Sequence, residues 1–226
     1  MTDAGAKVLG AYCERGFDPS FWAEPVNAVT NAAFIVAGVI ALRRADGDRG
    51  VAALAIVTVA IGVGSFLFHT LATRWALIAD VAPIQGFIAL YFLLAMRRFF
   101  GLALVAAIGA TLAFMAAAAV VPSLLPQDAP WRGLGGYLGG LLGLVGVGGA
   151  LALRGGETAR AGRALLGVAG LFMVSLAFRT MDGAVCDTLA TGTHPLWHLF
   201  NALVLFTLMA ILRQASPTIR PNLEVG

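Results

Sequence analysis

His194-Pro195-Leu196-Trp197-His198 opens an apolar run that continues to Leu212. About 20 mostly apolar residues make one membrane-spanning helix. Two imidazoles four residues apart on such a helix lie one turn above each other on the same face, as two ligands of one metal ion do. The chain holds three histidines. The third, His69, ends the stretch Gly64-Ser65-Phe66-Leu67-Phe68-His69, and Asp80 follows eleven residues later inside another apolar segment. Polar groups of this kind in hydrocarbon-like sequence call for a common reason.

Working outward, the 226 residues are 59% hydrophobic and 12% charged, with a mean hydropathy of +0.87. Soluble domains carry about 25% charged residues, so this is a polytopic membrane protein. Seven apolar stretches can be counted, at about 25–42, 51–72, 75–96, 99–121, 133–153, 163–181 and 194–212. The expected fold is therefore all-α, a seven-helix transmembrane bundle over 25–213. An outer segment over 1–24 precedes it and a cytosolic tail over 214–226 follows. Residues 1–20 carry Asp3, Lys7, Glu14, Arg15 and Asp18 without an apolar core, which is unlike a secretory signal peptide.

Basic residues gather on the cytosolic side of membrane proteins. Placing the 43–49, 97–98 and 154–163 connections and the tail on one side collects ten of the fifteen Lys+Arg there. Lys7, Arg15, Arg74 and Arg132 fall on the other side, and Arg179 lies inside a span. The N-terminus is thus expected outside and the C-terminus in the cytosol. The net charge of +3 follows from that bias and argues for no nucleic-acid partner. Nothing in the sequence asks for an obligate protein partner. Fourteen arginines against one lysine, with abundant Ala and Gly, read as the product of a GC-rich bacterial genome, hence a bacterial cell membrane. Cys13 and Cys186 both fall on the outer side, where disulfides persist; two unrelated buried thiols are the other reading.

The topology brings the polar residues together. Ser65 and His69 share a face, the turn at Ala72-Thr73-Arg74 is tight, and Asp80 returns to their depth at about 1.5 Å per residue. His198 reaches the same leaflet from the last span. A lone buried histidine is usually a core residue, but here all three converge. Carboxylates at such depth usually face the bundle interior and mark function. Three neutral imidazoles with an open fourth position suit catalytic zinc, and such a centre activates water for attack on an acyl group. Asp80 would move the proton and Ser65 would donate to the developing oxyanion. The substrate would come from the outer leaflet.

Other features have two readings each. Asn27, Thr30 and Asn31 form a polar stripe that bonds neighbouring helices or lines a cavity. Pro83 can free a carbonyl in its helix. The glycines of 133–143 suit close helix packing, or leave a groove for a lipid chain. Arg179 and Asp182 have the spacing of an ion pair, while Asp182 could instead orient a metal-bound imidazole. The segment from Ala11 to Pro25 is an interfacial cap, with Phe21 and Trp22 in the aromatic belt and Glu24 at a helix N-terminus. Its carboxylates and carbonyls could alternatively hold calcium.

Ser65-x-x-x-His69, Asp80 eleven residues on, Asp182-x-x-x-Cys186 and His194-x-x-x-His198 together resemble the motifs of the alkaline ceramidase family. That family belongs to a membrane hydrolase superfamily that also contains the adiponectin receptors. The resemblance runs from Cys13 to the last span. It implies a seven-helix intramembrane zinc amidohydrolase cleaving ceramide, or a related N-acyl lipid, to a sphingoid base and a fatty acid. It also implies zinc on His69, His194 and His198, with Ser65 and Asp80 beside the metal. An outside N-terminus and a Cys13–Cys186 disulfide are implied as well. Cys13-Glu14 and Glu24-x-x-Asn27 resemble the calcium-binding segment of eukaryotic members, which makes Tyr12, Glu14, Gly16, Asp18 and Glu24 the calcium candidates. Ala11 and Gly16 depart from that pattern, where an acid and an amide are expected.

Lys7 is the only lysine and lies outside the spans, so a retinal Schiff base is excluded. A bis-histidine haem protein would leave one histidine, Ser65 and Asp80 unexplained. A transporter is disfavoured because the fourth and fifth spans carry no ionisable residue near mid-membrane. The strongest alternative is a seven-helix receptor or signalling protein in which zinc is structural.

Overall fold

A computed structural model describes residues 3–124 and 134–215. Arg132, Gly133 and the tail from residue 216, used above for orientation and for the fifth span, lie outside the described residues. The chain is helical: α1 (Pro25–Thr30), α2 (Ala32–Arg43), α3 (Arg49–Leu71), α4 (Arg74–Phe100), α5 (Leu104–Leu124), α6 (Gly135–Ala152), α7 (Gly156–Met181) and α8 (His194–Gln214). A 3₁₀ turn over Asp182–Ala184 links α7 towards α8. Among the described residues seven helical segments are long and apolar enough to cross a membrane, with α1 and α2 together making the first.

Neighbours in sequence pack against one another from α2 round to α8, and α8 closes the ring by packing on both α7 and α2. α8 also touches α3 and α4, so it is the axis of the bundle. Fixing that arrangement at the basic end, the Arg98 guanidinium donates to both carboxylate oxygens of Asp48, at 2.8 and 2.6 Å, and to the Leu212 carbonyl at 3.0 Å. Asp48 is itself the N-cap of α3, accepting from Gly50 and Val51.

At the other end the N-terminal segment lies across the α3–α4 turn. Val8 N donates to Ala72 O at 2.7 Å, and Arg74 N to Ala6 O at 3.1 Å. A disulfide joins Cys13 to Cys186 across 173 positions of sequence, tying this segment to the α7–α8 connection.

Helix ends differ from the sequence reading where polar residues continue a helix beyond its apolar core. α4 runs through Arg97 and Arg98, which were expected in a connection, and stops at Gly101 in the left-handed conformation that glycine tolerates. α7 begins at Gly156 rather than about 163, with Glu157 in its first turn, where a carboxylate suits the helix dipole.

Candidate metal centre

Two backbone features bring α3 and α4 close where Ser65 and Asp80 sit. Pro83 has no N–H for the carbonyl one turn back, which is that of Ala79, although α4 remains continuous through it. Gly64 packs its Cα against this carbonyl, and a Cβ there would collide with it. The freed carbonyl and the missing side chain thus form one close approach. Ser65 and His69 on α3 are brought to Asp80 on α4, and all three are buried.

His194 and His198 come from the first two turns of α8, with Pro195 at a position that needs no backbone donor. Asp182 fixes the first of them: its Oδ1 accepts from Thr193 N at 2.8 Å and His194 N at 2.9 Å, and its Oδ2 accepts from Cys13 N at 3.0 Å. Asp182 therefore orients the backbone of His194 rather than a ring nitrogen. Gly192 makes this possible, since it has φ +62° and a side chain there would overlap the Asp182 carboxylate.

One ring nitrogen from each of His69, His194 and His198 lies within 4.8 Å of the other two, and all three side chains are sealed from solvent. His69 Nδ1 is hydrogen-bonded to the Glu24 carboxylate. His198 Nδ1 lies 2.8 Å from Thr30 Oγ1. The Thr30 hydroxyl has backbone carbonyls of Val26 and Asn27 to donate to, at 2.9 and 3.0 Å, and so accepts from His198. Both rings are then Nδ1–H tautomers with the Nε2 lone pair free. Among the described residues His194 has no such anchor; its ring is stacked between Tyr12, at 3.8 Å between centroids, and Trp197, at 5.1 Å.

His69 Nε2, His198 Nε2, His194 Nδ1, Ser65 Oγ and Asp80 Oδ1 are all buried without a hydrogen-bond partner among the described residues. Orphaned polar atoms on this scale are costly. Neutral imidazoles with the far nitrogen held by a carboxylate or hydroxyl are the donor set that binds a divalent transition metal. Asp80 is within electrostatic reach of His69, Ser65 and Arg179, which places a carboxyl and a hydroxyl near the cluster.

Arg179 does not pair with Asp182 as its spacing suggested. Its guanidinium donates to Tyr12 Oη at 3.0 Å and lies 5.7, 5.1 and 5.2 Å from the ring centroids of Tyr12, Tyr137 and Trp197. Three ring faces offset its burial, and Asp182 is left free to cap α8. Burial pushes the Tyr12 phenol well up from its ordinary range, so it stays neutral as Arg179's acceptor.

The calcium candidates make the following contacts among the described residues. Glu14 accepts from Val26 N and Asn27 N at 2.7 and 2.8 Å, capping α1. Tyr12 O accepts from Gly16 N at 3.0 Å, and Gly16 O from Gly10 N at 2.6 Å. Asp18 Oδ1 accepts from Ser20 N at 2.8 Å. Glu24 binds Arg15 at 2.5 Å as well as His69. Burial pushes the Glu24 carboxyl up, but its bonds to His69 and Arg15 outweigh that and hold it below its ordinary value.

The glycines of α6 pack against α5 and line a cavity. Gly135, Gly139 and Gly143 leave room for Pro122, Ala118 and Phe114 of α5, whereas Gly140 and Gly143 also line an apolar cavity. That cavity starts one turn beyond Asp80 and His198, at Ile84, Tyr137 and Asn201, and continues between α4, α6 and α8 to Leu208.

Seven helical segments long and apolar enough to cross a membrane, with three buried histidines at one end that could hold a metal ion, describe a membrane-type helical bundle with a candidate metal site. The assignment is direct: the family model "Ceramidase" matches residues 10–218, and the chain belongs to that family. No curated protein matches the chain.

Proposed function

We propose that this protein is a zinc-dependent amidohydrolase of the membrane interior. It cleaves the amide of ceramide, or of a related N-acyl lipid, to a sphingoid base or amine and a free fatty acid. The carrying observation is the convergence of three buried histidines, each offering a ring nitrogen within 4.8 Å of the others and each with an unpartnered nitrogen, one helical turn from an apolar cavity.

His69, His194 and His198 would hold the zinc, which would supply Lewis acidity and lower the pKa of water. Glu24 and Thr30 keep His69 and His198 in the tautomers that leave Nε2 free. Asp80 takes the proton from the attacking water and returns it to the amide nitrogen as the C–N bond breaks. Ser65 donates its hydroxyl hydrogen to the acyl oxygen as negative charge develops there. One hydrocarbon chain of the substrate lies in the cavity beyond Tyr137 and Asn201, excluding water from the reacting carbonyl.

The metal end of the bundle carries Cys13 and Cys186. The opposite end carries Arg43, Arg44, Arg97, Arg98 and Arg213, and basic residues favour the cytosol. The N-terminus and the reacting centre therefore face the outer leaflet, with the substrate entering from lipid.

The test is elemental analysis of the detergent-purified protein alongside hydrolysis of a fluorescent ceramide, for the wild type and His198→Ala. One zinc per chain and turnover, both lost in the variant, is the expected result. Zinc without turnover on ceramide or other N-acyl lipids would transfer the protein to the receptor class. Absence of zinc would overturn the metal centre itself.

A further inference from the structure

Arg15 is buried inside the outer segment, 5% exposed, and its guanidinium finds an acceptor for every N–H. Nε donates to Glu24 Oε1 at 2.5 Å. Nη1 donates to Asp18 O at 3.0 Å and Ser20 O at 2.8 Å. Nη2 donates to His69 O at 2.8 Å and, at the long distance of 3.4 Å, to Thr70 O. Guanidinium carries five such donors in a fixed fork, so the group is saturated.

Three of these acceptors, two loop carbonyls and a carboxylate oxygen, are what a hard dication would collect. Here they converge on a covalently attached cation. Of the other candidate oxygens, the Tyr12 and Gly16 carbonyls, both Glu14 carboxylate oxygens and Asp18 Oδ1 accept from backbone N–H groups. Calcium takes about 6–8 oxygens, and collecting them here would mean breaking these bonds.

Arg15 also holds His69 from two directions. The carboxylate it pairs with is the one that bonds His69 Nδ1, and the carbonyl it binds through Nη2 is His69's own. Both carbonyls on Nη2 belong to the last turn of α3, where a cation also complements the helix dipole.

We propose that the Arg15 guanidinium is the built-in cation of the outer segment, replacing bound calcium, and that it acts as a positioning residue for the metal ligand His69. This rests on reading the three histidines as a metal centre. The protein should therefore need no calcium, and the metal's grip should depend on a guanidinium at position 15.

Two measurements test this without lipid hydrolysis. First, the wild-type protein in nanodiscs is titrated with calcium chloride by calorimetry, with thermal unfolding followed in calcium or EGTA. No binding and no shift are expected; one calcium per chain, or a calcium-dependent rise in Tm, would overturn the proposal. Second, zinc retention against a competing chelator is compared for wild type, Arg15→Ala and Glu24→Gln. Arg15→Ala should release zinc about 10–100-fold more readily, the loss typical of removing a partner behind a metal ligand. Millimolar guanidinium chloride should restore retention in Arg15→Ala but not in Glu24→Gln, whereas sodium chloride should restore neither. Wild-type retention in Arg15→Ala, or no difference between guanidinium and sodium, would overturn the positioning role. If Arg15→Ala fails to fold, the calcium titration still decides the replacement. If wild type holds no zinc, the metal centre falls instead, and the calcium titration remains decisive for Arg15.

Discussion

Helices α5 and α8 are both 21 residues long, and the more apolar of the two is the less buried. The best window of α5 has a mean hydropathy of 2.4 with 11% of it buried, against 1.8 and 61% for α8. In water the ranking would be reversed. In a bilayer the lipid tails are as apolar as leucine, so hydrophobicity draws no helix inward. An unsatisfied polar group in hydrocarbon costs several kcal/mol, and α8 carries His194, His198 and Asn201 on its buried face. Polar side chains, rather than apolar ones, decide which helix becomes the axis.

The comparison breaks most visibly at α8's histidines. His198→Ala should abolish both metal content and turnover, because two ligands cannot replace three. Asp80→Asn, one helix away, should separate these effects: zinc stays, and kcat on the amide falls about 10²–10⁴-fold, the usual contribution of a positioned proton carrier. Loss of zinc in Asp80→Asn would make Asp80 a ligand or a structural support instead.

The tie between Cys13 and Cys186 comes next. It closes 173 residues of chain, and removing a native disulfide typically costs about 2–5 kcal/mol. Cys13→Ser should lower Tm in detergent to match, and a reducing agent should do the same to wild type. An unchanged Tm would mean that the bonds of Asp182 to Cys13, Thr193 and His194 hold the outer end without the disulfide.

A smaller effect is expected at Thr30, which stands behind His198. Thr30→Val keeps the shape but removes the acceptor for Nδ1–H, so zinc affinity should fall about 10–100-fold. Chelator competition measures it, and an unchanged affinity would show that ring packing alone sets the tautomer.

These cases also show what the sequence could reveal. The His194–His198 spacing and the tight turn between Ser65-x-x-x-His69 and Asp80 depend only on helical rise and antiparallel neighbours, so the histidine cluster was legible. Thr30 was half legible: the stripe with Asn27 and Asn31 marked a buried face, but its partner on α8 depends on how the ring of helices closes. The roles of Glu24, Arg15 and Tyr12 were not legible, because an irregular segment has no periodicity to say which way it folds back. Glu24 and Tyr12 had two readings in the sequence, interfacial cap or calcium donors, and neither pointed to the contacts they make with His69 and His194. Arg179 misled in a different way: its spacing to Asp182 suggested a pair, while the aromatic faces that receive it come from α6, α8 and the N-terminal segment.

The smallest effect belongs on α5, where the comparison began. Leu112 is 66% exposed in the protein and faces lipid if the bundle spans the membrane as proposed. Leu112→Ala there exchanges lipid contact for lipid contact, so it opens no internal cavity and should change Tm by no more than about 0.5 kcal/mol equivalent, as surface substitutions do. Leu205→Ala on the buried face of α8 removes the same atoms from the core and should cost about 2–5 kcal/mol. Equal costs at the two positions would mean that α5 is covered by something other than lipid, and that its apolar surface is an interface rather than the outside of the bundle.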